Sequence, residues 1–361
     1  MVEEFGYRET SLSEINAGLN SMLAGMDKEG PVRFARSTTS NVLLGVNKLS
    51  AEVDQFISEL AMIHPSRFFL ISLEPGLPSL EAQVALRCHG LSASQKVCSE
   101  VVRISCPADM LGALPGVVRA NLIAGTNNEL FVLDAGVNDA LMKVLMGLAN
   151  QVFFDSAELE RRLYLISEFA AFADTLVDLT WLELEPWRQE LKEAFDRPLL
   201  RGFLPALSLI NLEAQVTRIG PPGGHLPWRL ALMAGWLISC LKLEVVGYRA
   251  GVFEAVTAAG RRVYIQTGLQ TDSERCGLSA LEFMFLEPGK KEVRLSVKNQ
   301  KNEVLETTVQ PFEDFKSVRP LRRESRFAYV RRYFQIGEAG FSYRDALRNA
   351  LDVLSLIEDL V

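Results

Sequence analysis

The chain has 361 residues, 48% of them hydrophobic and 23% charged, with a formal net charge of -7. That composition excludes a disordered tail, and the negative balance gives no global field to attract nucleic acid or an anionic membrane. The length exceeds one ordinary core and suits two domains.

The amino terminus, MVEEFGYRETSLSEINAGL, carries early acidic residues and lacks the basic and apolar regions of a signal peptide. The stretch LALMAGWLISCLKL, bounded by Arg229 and Lys242, is far short of the roughly 20 residues of a membrane span and reads as a buried helix. Five cysteines (Cys88, Cys98, Cys106, Cys240 and Cys276) fit reduced thiols better than a secreted disulfide framework. A cytoplasmic protein is expected, with no nucleic-acid or membrane partner.

After a polar leader, VRFARSTTSNVLLGV reads as a strand or bent strand pair. AEVDQFISELAMI follows with Val53, Phe56, Ile57, Leu60 and Ile63 at helical spacing, closed by Pro65. RFFLISLE is an apolar run of the kind buried on both faces of a sheet, which completes a βαβ-like unit. EAQVALRCHG and KVCSEVVRISCP form a hairpin. The alternation puts Val84, Leu86 and Cys88 on one face and Cys98, Val102 and Ile104 on one face, so an antiparallel register sets Cys88 nearly opposite Cys98. Next come a helix interrupted at Pro115, the strand ELFVLDA, the helix DALMKVLMGLAN and the strand QVFFDS. A long helix from an N-cap at Ser156 closes this region.

LTWLELEPWRQELKEAFDRP reads as a bridge leading to a helix begun by Pro186 and ended by Pro198. SLINLEAQVTRIG is a strand and LALMAGWLISCL a helix. Six β-prone runs then suggest an antiparallel sheet before a terminal amphipathic helix carrying Leu347, Ala350, Leu351, Leu354 and Ile357. The expected architecture is α/β with two packed domains: a mixed-sheet α/β domain over residues 1–180, and an α+β domain with a largely antiparallel sheet over residues 181–361.

Catalytic motifs are scarce. There is no phosphate-binding loop ending in GK[ST], no GxSxG, no HExxH, and no GxGxxG after a strand. Cys88, His89, Cys98 and Cys106 have metal-ligand chemistry but not the paired spacing of a structural zinc site, and adjacent Cys88 and His89 point to opposite sides of a strand. Ordinary thiols are the leading reading, and a Cys88/Cys98 redox pair the main alternative. Arg319, Arg322, Arg323, Arg326, Arg331 and Arg332, interleaved with aromatic residues, could grip a phosphate or an acidic surface, although a solvated face is the commoner use. Trp181 and Trp187 read first as core and second as partner anchors. No catalytic residue, metal or cofactor is assigned.

Several strings together resemble the glucose-6-phosphate dehydrogenase assembly protein (OpcA) family. They are ARSTTSNVLLGV with IHPSRFFLIS (Arg36, Thr38, Asn41, His64, Pro65, Ser66, Arg67) and RCHGLSASQKVCSEVVRISCP (Arg87, Cys88, His89, Val97, Cys98, Ser99, Glu100). VFFDSAEL contributes Asp155 and Ser156, and DLTWLELEPWRQELKEAFD contributes Asp178, Leu179, Trp181, Pro186, Trp187 and Arg188. The resemblance covers most of the chain in order, but departs at Leu130–Gly136, where a tryptophan pair is missing. It implies a non-catalytic accessory protein that binds glucose-6-phosphate dehydrogenase, promotes its active oligomer and activates it allosterically in the oxidative pentose phosphate pathway. Arg87, Cys88, His89, Cys98, Ser99, Glu100, Trp181, Trp187 and Arg188 would be its partner-binding residues. Two alternatives stand beside it: a sugar-phosphate or nucleotide-binding α/β enzyme, and a thiol-based redox switch.

Overall fold

A computed structural model describes residues 2–26, 32–48, 50–90, 92, 94–134, 136–159, 162–216, 226–249, 251–272, 277–287, 289–300, 303–321, 324–336 and 342–358. The chain divides into two compact units: residues 1–179 with 325–337, and residues 180–324 with 338–361. The architecture is α/β, with a mixed sheet in the first unit and a largely antiparallel sheet in the second.

In chain order the first unit holds β1 (Val2–Thr10), α1 (Ile15–Met26), β2 (Arg33–Arg36), β3 (Ser40–Gly45), α2 (Ala51–Ile63), β4 (Arg67–Leu73), β5 (Glu81–Gly90) and β6 (Gln95–Cys106). It continues through α3 (Leu114–Asn121), β7 (Asn127–Phe131), α4 (Asp139–Met146), β8 (Gln151–Phe154), α5 (Leu163–Phe172) and β9 (Thr175–Asp178). The nine strands lie in the order β1-β5-β6-β4-β3-β7-β8-β9, with β2 also on β6. From β6 to β9 every neighbouring pair is parallel. Numbered by their place in the chain, those six strands run 3-2-1-4-5-6, the order of doubly wound dinucleotide-binding folds. One crossover departs from that plan: between β4 and β6 stands the antiparallel β5 rather than a helix.

Local chemistry explains the central elements. All six residues of β3 are buried, as a strand covered on both faces requires. The Ser50 side chain caps α2 by accepting from the Val53 amide, and Val53, Phe56, Ile57 and Leu60 form the buried stripe. The helix stops at His64, whose successor Pro65 disfavours a further helical turn.

Three expectations change. The polar leader is β1 and α1, the helix anchored by Ile15, Leu19, Met22 and Met26. Pro115 sits in the first turn of α3, where its missing N–H costs nothing, so it opens that helix instead of interrupting it. Ser156 caps no long helix. It is buried, its hydroxyl donates to Asp178 Oδ2 at 2.7 Å and its amide to Oδ1 at 3.1 Å, and α5 starts only at Leu163.

The second unit opens with α6 (Leu179–Glu183), α7 (Glu185–Asp196), α8 (Pro198–Phe203), β10 (Leu207–Val216) and α9 (Trp228–Leu241). Strands β11 (Leu243–Arg249), β12 (Val252–Thr257), β13 (Arg262–Thr271), β14 (Gly277–Phe285), β15 (Val293–Gln300), β16 (Val304–Gln310) and β17 (Phe312–Pro320) follow. The order is β11-β12-β13-β10-β14-β15-β16-β17, and only β10 with β13 is parallel. Helix α10 (Arg326–Ile336) belongs to the first unit, and α11 (Ser342–Glu358) packs on α9 in the second. Gly235 lets those two helices touch: a Cβ there would stand 2.2 Å from the Ala346 carbonyl oxygen and 2.6 Å from the Ala350 nitrogen.

Candidate functional site

In a 3-2-1-4-5-6 sheet the chain leaves strand 1 toward one edge and strand 4 toward the other, which opens a crevice beyond their carboxyl ends. Here those strands are β3 and β7. A cavity of about 790 Å³ occupies the place, lined by Gly45–Lys48 and Ser50 after β3, by one flank of α2, by Leu133 and Asp134 after β7, by Glu158, and by Ser325–Phe327 where α10 begins. The volume lies in the range of small-molecule sites.

The wall is built from the sheet outward. Gly45 ends β3 under α4, with its Cβ position 3.0 Å from a Val137 methyl and 3.1 Å from a Leu145 methyl. Past it, Asn47 donates to Asp134 Oδ2 at 3.0 Å, and the Gly136 amide donates to Asp134 Oδ1 at 2.7 Å. The apolar floor is aromatic: Phe56 of α2 lies 5.5 Å from Phe131 and 6.3 Å, edge to face, from Phe327 of α10. Arg326 stands at the rim, paired with Asp155 at 3.4 Å and Glu158 at 2.8 Å, and its guanidinium also reaches the Leu133 carbonyl. Four carboxylates (Glu52, Glu59, Asp134, Glu158) face two cations, Lys48 and Arg326. Such a wall can accept hydrogen bonds from ring hydroxyls and take a proton from one of them. Lys48 and the amino end of α2 can counter an anionic group.

Just past β4, and not among the residues that line the cavity, is Glu74. Its Oε1 accepts from Ser72 at 2.9 Å, Ser105 at 2.8 Å and Arg103 at 3.3 Å. The Ser105 hydrogen bond contributes most to holding its pKa below the ordinary carboxylate value; partial burial opposes it, and Ser72 and Arg103 add to the lowering. Oε1 is thus fixed and the carboxylate stays ionised.

The residues singled out from the sequence lie elsewhere. Cys88 and Cys98 face each other in the hairpin register and form a disulfide, both fully buried. That corrects the expectation of ordinary thiols for this pair; the opposed alternation of the two strands is the cause. Arg87 is buried and bonds Asp54 of α2 at 2.8 Å. His89, one residue before the end of β5, has its pKa lowered chiefly by burial. The Ser99 hydroxyl accepts from the Ser66 amide at 3.2 Å. Glu100 is fully buried between Arg67 at 2.6 Å and Arg36 at 2.5 Å. Trp181 and Trp187 are buried in the second unit, and the Arg188 guanidinium stacks 3.3 Å over the Trp181 ring and donates to its carbonyl. None of these residues lines the crevice.

Of the arginine cluster, Arg319 is taken up by Glu190 and Glu193, and Arg322 and Arg323 lie outside the described residues. Of the remaining cysteines Cys106 is buried, Cys240 exposed, and Cys276 outside the described residues. Among the described residues no group of three or more His, Cys, Asp or Glu side chains could hold a metal ion. No helix among them is long and apolar enough to cross a membrane.

No family model and no curated protein matches the sequence. Solved structures do share its course. An oxidoreductase from Sinorhizobium meliloti is 14% identical with a TM-score of 0.49, over 90% of this chain and 98% of that one. A biliverdin reductase from Synechocystis sp. PCC 6803, solved with biliverdin and NADP+, is 10% identical with a TM-score of 0.40, over 90% and 99%. These likenesses concern fold alone. The expectation of a non-catalytic accessory protein of the OpcA type is corrected: no family model stands behind that resemblance, and the solved structures found are oxidoreductases. The first unit has the strand order of a nucleotide-binding fold, which the missing GxGxxG had argued against. Sequence reasoning missed the crevice because its turn, GVNKLS, carries one glycine where the fingerprint has three.

Proposed function

We propose that this chain is an α/β enzyme whose first unit takes a nucleotide or sugar phosphate in the crevice at the ends of β3 and β7. The observation that carries it is the 3-2-1-4-5-6 order of the parallel strands, which sets a cavity of small-molecule size at the switch point. The turn into α2 supplies Lys48 and a helix amino terminus for an anion, Phe56 and Phe327 a surface for a ring, and Asp134 and Glu59 acceptors for hydroxyls. Calorimetric titration of the purified protein with a panel of nucleotides and sugar phosphates tests it. Saturable binding by wild type, weakened at least tenfold in Lys48→Glu, is expected. Lys48 is exposed, so its replacement leaves the fold intact. A panel with no saturable ligand, or one indifferent to Lys48→Glu, would overturn the proposal.

A second reading, favoured by the Cys88–Cys98 bond, adds a thiol switch to this enzyme. We place the protein in the cytoplasm, where such bonds are usually transient. Reduction by a dithiol would deliver two electrons and two protons, giving two cysteine thiols and the oxidised dithiol. Ligand affinity that is the same in the oxidised and reduced protein would remove the switch and leave the enzyme.

A further inference from the structure

The second unit holds a cavity of its own, about 620 Å³, between α7 and α9. Glu185, Arg188, Lys192 and Asp196 of α7 recur every three or four positions, so they share one side of that helix and form the polar wall. Facing them the lining is apolar, with Phe195, Leu204 and Trp236. Phe195 is held edge to face 5.3 Å from Phe283, which fixes that surface. A concave, largely apolar site of this size with a few polar groups on one wall suits an amphipathic small molecule.

The charges are ordered along the wall. The two cations stand in the middle, one turn apart, and the two carboxylates stand at its ends, about 16 Å from each other by the rise of the helix. Arg188 is fixed in place, since its guanidinium lies 3.3 Å over the Trp181 ring and Nη1 donates to the Trp181 carbonyl at 2.8 Å. Its charge also reaches α9. Partial burial raises the pKa of the Cys240 thiol, Arg188 opposes that rise, and no carboxylate is among the groups acting on the thiol. Lys192 is exposed and makes no ion pair with a described residue. The middle of the groove is therefore positive, although the wall as a whole is balanced. We infer that this groove takes an amphipathic carboxylic acid, with its apolar body against Phe195, Leu204 and Trp236 and its carboxylate between Arg188 and Lys192. The site shares no lining residue with the crevice of the first unit and does not rest on the function proposed for that crevice.

Decanoate is the probe, with decanol and decylamine as neutral and cationic controls of the same chain length. Calorimetric titration of the full chain should show saturable decanoate binding at least tenfold tighter than that of either control, because both lack the charge-assisted hydrogen bonds of a carboxylate. Cys240 lines the groove and reports the place: saturating decanoate should slow its alkylation by iodoacetamide fivefold or more, read by peptide mapping. Lys192→Glu alters an exposed side chain, and should weaken decanoate fivefold or more while leaving decanol unchanged. Decanol or decylamine binding as tightly as decanoate would overturn the carboxylate assignment. Decanoate binding that leaves Cys240 alkylation unchanged, or that survives Lys192→Glu at full strength, would overturn the site. No saturable decanoate binding would remove the inference and leave the proposed function standing.

Discussion

Gly235→Ala is the sharpest test of how the second unit is held together. The new methyl would meet backbone, the Ala346 carbonyl oxygen at 2.2 Å and the Ala350 nitrogen at 2.6 Å, and neither can swing aside as a flexible side chain would. Restoring ordinary contact requires α9 and α11 to part by about 1 Å, which loosens the packing on both sides and stretches the 3.1 Å hydrogen bond from Asn349 to the Gly235 carbonyl. Overpacking of this kind costs about 3 kcal/mol. Better helix propensity returns at most about 1 kcal/mol of that. A net loss of about 2 kcal/mol corresponds to a fall in melting temperature of about 4–8 °C for a unit of this size. Differential scanning calorimetry with Gly202→Ala as control makes the comparison, since nothing lies within 4 Å of a Cβ at Gly202 in α8. The control should be neutral or slightly stabilising. A Gly235→Ala protein melting within 1 °C of wild type would refute the packing described here.

Three further outcomes follow from particular groups. Reducing the Cys88–Cys98 bond, which closes a loop over a sequence separation of 10, should cost the first unit about 2.7 kcal/mol in urea unfolding; identical midpoints with and without dithiothreitol would contradict this. Glu190 is buried, and although burial raises its pKa, hydrogen bonds from Arg319, Ser317 and Thr307 prevail and leave it lowered. With the folded value below the unfolded one, its contribution is complete above the unfolded pKa of about 4.3 and is lost as pH falls through the folded value. Glu190→Gln should therefore destabilise by about 3 kcal/mol at pH 7 and flatten part of the acid limb, and a pH–stability curve parallel to wild type would exclude the pair. Asp178→Ala strands the buried Ser156 hydroxyl and amide and should cost about 2 kcal/mol, read as a shift in the same urea midpoint; a loss under 0.5 kcal/mol would show that the pair carries no weight.

The βαβ opening, the hairpin and the final helix were legible because their apolar periodicity is strong. The cross-strand position of Cys88 and Cys98 followed from alternation, which fixes parity within a strand. Elements with weak patterns were not legible. In α1 Ile15, Leu19, Met22 and Met26 do recur at helical spacing, but Gly18 and Gly25 stand among them and weaken the helical signal, and β9 is only four residues long. Strand order was out of reach, since it depends on which crossovers turn left or right of β3, and the crevice is a product of that order. Glu74 stood visible at the end of an apolar strand, yet its hydrogen bonds to Ser72, Ser105 and Arg103 could not be read there. The partner-binding residues taken from the resemblance are interior side chains for the most part, with hydrogen bonds and ring contacts that hold β5, β6 and α7.

The most direct test of the central claim locates the ligand. Ultraviolet cross-linking with 8-azido-AMP, followed by peptide mapping, should label a segment within residues 45–59, with labelling suppressed by excess AMP and lost in Lys48→Glu. Specific labelling confined to the second unit, or labelling that excess AMP leaves unchanged, would contradict a ligand site at the switch point of the first sheet.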